Sequence, residues 1–146
     1  MKSPLLLLVP LLLVSCATAP LKTTSGRPEV VIRGRTIAKV RAAAVNFFVD
    51  SGWAPVQTEG SQLVFEREGS TTQSFLMGMM TNNPQSKNRI TLTLVENGEN
   101  VRVVAGATVI GQNAFGAQQV VELRGKGYQE VQAALEKLKA KAEEKN

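Results

Sequence analysis

The sequence predicts an α+β fold: a mainly antiparallel sheet of about five strands, in the order β-α-β-β-β-β-α, with two helices packed on one face. Three observations carry this. Two stretches, residues 35–53 and 128–145, repeat apolar residues at helical spacing. Between them lie short alternating runs rich in Val, Ile, Leu and Thr, the pattern of strands with one buried and one wet face. Turn signals at Gly60-Ser61 and Asn97-Gly98 join those runs as hairpins. The 146 residues suffice for one domain, and a 43% hydrophobic share provides a core. With only five Phe, one Trp and one Tyr, that core is built mainly of Val, Leu, Ile and Ala.

"EVVIRG", residues 29–34, reads as the first strand. In the helix that follows, Thr36 is the expected N-cap and Gly52 the expected stop. Ile37, Val40, Ala44, Phe47 and Phe48 share its apolar face. Phe47 and Phe48 suit core packing better than a ligand pocket. Trp53 should cover the corner where the helix gives way to a hairpin, in which Val56 leads in and Leu63 and Phe65 point inward.

Ile90, Leu92 and Leu94 then alternate with Thr91 and Thr93, and Val101, Val103, Ala105, Ala107 and Val109 form the return strand. Gly106 is expected to let a helix lie close or to mark a bulge. Residues 111–127 read as a glycine-punctuated connector to which Val120, Val121 and Leu123 add a little strand. In the last helix Tyr128, Val131, Leu135, Leu138 and Ala142 face one way, and lysines gather toward the C-terminal end, where positive charge suits the helix dipole.

The N-terminus speaks to location. Lys2 is followed by an apolar stretch from Leu5 to Val14, interrupted by Pro10 and too short to span a bilayer of about 30 Å as a helix. It fits a secretory signal occupying residues 1–15. Leu13-Val14-Ser15-Cys16 resembles the bacterial lipobox, and Cys16 is the only Cys in the chain. The resemblance implies that Cys16 carries a diacylglycerol, becomes the mature N-terminus and holds the protein to a membrane. Each buried acyl CH₂ contributes about 0.8 kcal/mol to such an anchor. Ala17 rather than Asp after the Cys implies, by resemblance to enterobacterial sorting, the periplasmic side of the outer membrane. Residues 16–28, rich in Thr, Pro, Gly and Ser, read as the lipidated Cys and a flexible tether, and residues 29–146 as the domain.

Composition narrows the chemistry. The chain has no His and one Asp, Asp50. A Ser-His-Asp or Cys-His centre is excluded, and the usual donors for zinc or copper are missing. The expectation is no enzyme, no cofactor and no metal. Cleavage would remove Lys2 from the 17 basic side chains, leaving 16 against 12 acidic ones. Behind a signal sequence, nucleic acid is not an expected partner. A solvated basic surface is the simpler account, with lipopolysaccharide, phospholipid headgroups and cell-wall polymers as the polyanions available.

One segment stands apart. Phe75, Leu76, Met77, Met79 and Met80 hold all of the methionines beyond Met1, inside a connection of about twenty residues, and connections of that length are commonly functional or disordered. They either fold back as a lid or edge strand, or stay exposed as a docking loop in which adaptable Met side chains mould to a partner.

The element order, together with Ser51-Gly52-Trp53 and Leu63-Val64-Phe65, resembles the helix-grip domains of lipoproteins in the outer-membrane β-barrel assembly machinery, and a set of small bacterial and phage-borne lipoproteins. The resemblance covers most of residues 29–142 and speaks to fold, so no functional residue is carried over. The expected function is a membrane-anchored binding or accessory module of an envelope assembly, with an envelope protein as partner. The alternatives are a carrier of a lipid or amphiphile and a prophage-type surface or exclusion lipoprotein.

Overall fold

The computed structural model describes residues 21–69, 86–112 and 116–144. They form an α+β domain: β1 (Glu29–Arg33), α1 (Ile37–Asp50), β2 (Ala54–Gln57), β3 (Gln62–Glu68), β4 (Lys87–Asn97), β5 (Asn100–Gln112), β6 (Gln118–Glu122) and α2 (Lys126–Glu143). The strands make one antiparallel sheet in the order β1-β5-β4-β3-β2, and β6 pairs with β5 as well. β1 takes residues 100–104 of β5 and β6 takes residues 108–112, so the two short strands follow one another along the same edge. Val120 and Val121 thus belong to a full sixth strand in place of the trace expected.

The sheet is built round the β4–β5 hairpin. Its register is unbroken from Lys87↔Ile110 to Asn97↔Asn100. Asn97 is the last paired residue, and the turn itself is Gly98-Glu99, with Gly98 at φ 61° supplying the left-handed backbone that a two-residue hairpin requires.

Alternation sends every second side chain to one face. Ile32, Leu63, Phe65, Leu92, Val103 and Ala105 are wholly buried there. Both helices cover that face. Val40, Ala44 and Phe48 from α1 and Tyr128, Val131, Leu135 and Leu138 from α2 complete one core. Phe48 stacks on Phe65 with ring centroids 4.8 Å apart. The opposite face carries Glu29, Glu66, Arg89, Arg102, Thr91 and Thr93, with Val31 and Val95 exposed among them.

Helix ends follow the sequence closely. The Thr36 hydroxyl accepts from the Lys39 N–H at 3.4 Å, and Gly52, at φ 80°, turns the chain so that the Trp53 N–H reaches the Phe48 carbonyl at 2.9 Å. The Gln132 side chain ties α2 to β1, accepting from the Glu29 N–H at 2.8 Å and donating to the Glu29 carbonyl at 3.0 Å. Arg35 closes the other end of α2, donating to the carbonyls of Ala142 at 2.7 Å and Glu144 at 3.0 Å, which lack helical partners.

Two expectations change. Gly106 neither admits a helix nor marks a bulge: it pairs with Thr91 in unbroken register, and a Cβ there would meet nothing within 4 Å. Residues 21–28, assigned by composition to the tether, are drawn onto the domain. Leu21 packs on the core, Pro28 is fully buried, and Ser25 and Thr24 donate to the Glu29 carboxylate at 2.6 and 3.0 Å.

Candidate functional site

A half-open groove of about 770 Å³ lies between the two helices and the end of the sheet where β3 finishes and β4 begins. Its floor is Ile90 and Ala107, partners across β4 and β5. Beyond that point the sheet continues into β6, while α1 has ended at Asp50 and α2 is only beginning at Lys126. Among the described residues, the core layer therefore opens at this end.

One wall comes from the end of α1. Phe48 is buried, whereas Phe47 is only half-buried and meets Phe48 edge-on at 5.3 Å. Trp53, held by the Gly52 turn, stands edge-on to Phe48 at 6.1 Å. The facing wall comes from Leu123 and the first half of α2, through Gly127, Val131 and Ala134. Gly127 is required there. A Cβ at that position would sit 2.9 Å from the Leu123 Cβ, so any other residue would push the helix off the strand end.

The rim is basic. Arg67 lies over the Trp53 ring at 4.6 Å, a cation–π contact at the groove mouth. Arg124, Lys126 and Lys137 surround the opening, against Glu122 and Glu130, while Arg89 borders the groove but turns its guanidinium to Glu66 on the opposite sheet face. Two of the arginines are ion-paired: Arg89 with Glu66, which Lys87 shares, and Arg124 with Glu122 at 3.0 Å. Glu122 also accepts from the Tyr128 hydroxyl at 2.6 Å and pairs with Arg27 at 3.6 Å. The Tyr128 hydrogen bond, and then Arg124, lower its pKa below the usual carboxylate range. Burial, and then the same Glu122, push the Tyr128 hydroxyl pKa upward. Among the described residues, Arg67, Lys126, Lys137 and Glu130 have no ion-pair partner.

The groove joins an apolar floor to exposed positive charge. Among the described residues no three His, Cys, Asp or Glu side chains come together as a metal site, and no helix is long and apolar enough to cross a membrane.

The site residues expected from sequence, Leu13, Val14, Ser15 and Cys16 of the lipobox and Phe75, Leu76, Met77, Met79 and Met80 of the docking segment, lie outside the described residues. Phe47 and Phe48, expected in the core rather than in a ligand pocket, do both: Phe48 is in the core, Phe47 is half-buried against it, and both line the groove. No family model matches the chain, and a search of curated proteins finds no match to it.

Proposed function

We propose that this protein is a lipid-anchored binding module of the bacterial envelope, held through Cys16 to the periplasmic side of the outer membrane, and that it engages a component of that envelope through the groove. The groove is the single observation that carries the binding role. It has the volume of a small-ligand site, apolar surface from four elements and a few charged groups at the mouth. The lipobox-like Leu13-Val14-Ser15-Cys16 supports the anchor. The N-terminal segment also enters beside the groove, because Arg27 pairs with Glu122 on its wall. From Cys16 to Arg27 the chain extends at most about 40 Å, so an anchor at Cys16 keeps the groove near the bilayer.

A second reading, a carrier of a lipid or amphiphile, is favoured by the same cavity. Labelling with a fatty acid tests the anchor. The protein should take up label and fractionate with outer membranes, and Cys16→Ser should do neither. Protein that incorporates no fatty acid and washes off membranes in salt contradicts the reading.

A further inference from the structure

We infer that the occupant of the groove is a single-chain amphiphile with an anionic headgroup, drawn from the adjoining bilayer; this rests on reading the groove as the binding site. The argument is one of complementarity. Ile90, Ala107, Val131 and Ala134 offer apolar surface, with Asn88 and Ser51 the polar side chains beside them, so the part of a ligand lying against those four must itself be apolar. A volume of about 770 Å³ is in the range of sites for one small ligand.

The mouth then selects the head. With Arg89 turned to Glu66 on the outer face and Arg124 matched with Glu122, three basic groups remain at the mouth among the described residues, Arg67, Lys126 and Lys137, against one carboxylate, Glu130. Arg67 belongs to β3 and stands over Trp53, while Lys126 and Lys137 belong to α2. Positive charge therefore comes from both sides of the opening. A neutral or cationic head would leave it uncompensated. A carboxylate or phosphate head on one acyl chain fits both the floor and the rim. With the anchor proposed at Cys16, the approach of the N-terminal segment through Arg27 and Glu122 would bring the bilayer, the source of such molecules, to the same side.

Trp53 is the only Trp in the chain and lines the groove, so it reports occupancy directly. The full-length, lipid-bearing protein is inserted into phosphatidylcholine vesicles and titrated with a dibrominated fatty acid, then with the matching brominated fatty alcohol. Bromine quenches indole fluorescence only at close range. The acid should quench Trp53 saturably and at about tenfold lower concentration than the alcohol, a difference matching two or three screened charge contacts. Ala134→Phe, which fills the groove without adding a second Trp, should abolish saturable quenching. Lys126→Glu with Lys137→Glu, both exposed, should remove the preference for the acid while leaving the melting curve in place. Vesicle flotation reports separately on the anchor, and the titration is read whether or not the protein floats, so failure of the anchor and failure of this inference are distinguishable. Equal quenching by acid and alcohol, quenching untouched by Ala134→Phe, or no quenching at all overturns the inference. The last of these, with the groove occupied instead by a protein, assigns the site to a protein partner.

Discussion

Arg102 on β5 and Glu29 on β1 are diagonal neighbours across the sheet edge, and their side chains pair on the face away from the helices. Burial opposes the charge on Glu29. Hydrogen bonds from Ser25 and Arg102 and from the Thr24 N–H outweigh it and lower its pKa to about 2. A carboxylate whose folded pKa is depressed contributes stability that is complete above its unfolded value and is lost as pH falls through the folded one. Urea unfolding should therefore lose about 2–3 kcal/mol from this group between about pH 4.5 and pH 2. Glu66, whose pKa is lowered chiefly by its hydrogen bond from Arg89, loses stability in the same direction. Glu29→Gln should flatten the acid limb; a mutant that keeps the full acid dependence would place it elsewhere.

Phe48 joins the core to the groove. It is 1% exposed, stacks on Phe65 and meets both Phe47 and Trp53. Phe48→Ala should cost about 3–5 kcal/mol in denaturant unfolding. A loss below about 1 kcal/mol would mean that the α1–sheet layer is not packed around this ring.

Two glycines should respond in opposite directions. Gly106→Ala places a methyl on the outer sheet face in open space and removes the backbone freedom of a glycine within a strand, so it should stabilise by about 0.5–1 kcal/mol. A Cβ at Gly69 would lie 2.4 Å from the Ser86 hydroxyl oxygen and 2.9 Å from the Ser86 carbonyl oxygen, where Gly69 N–H donates at 2.6 Å. Gly69→Ala should destabilise by about 1–3 kcal/mol. Thermal melts of the two variants that shift the same way would contradict this geometry.

These cases show what was legible in the sequence. Thr36, Gly52 and the alternation from Ile90 to Leu94 act through neighbours a few residues away, so the helix bounds and the hairpin were readable. The inward positions of Phe65 and Leu135 were readable too, because period alone decides them. Gly106 was misread because its role depends on which face of β5 the helices cover, and that is fixed by strand register. β6 was faint because its residues are mostly exposed and its place is set by the edge of β5 that β1 leaves open. The groove joins Trp53, Arg67, Ile90 and Ala134, which are scattered over some eighty residues. No local pattern marks residues that meet only where two helices stop short of the sheet end.

The central claim is that the groove is where this protein binds. A photoreactive residue placed at position 134, in the groove, or at Val95, on the opposite sheet face, would test it most directly in the full-length protein within intact bacterial cells. Mass spectrometry of the irradiated protein should find an adduct of lipid size on the α2 peptide from position 134 and none from position 95. Equal adducts at both positions, or none at 134, would contradict the account.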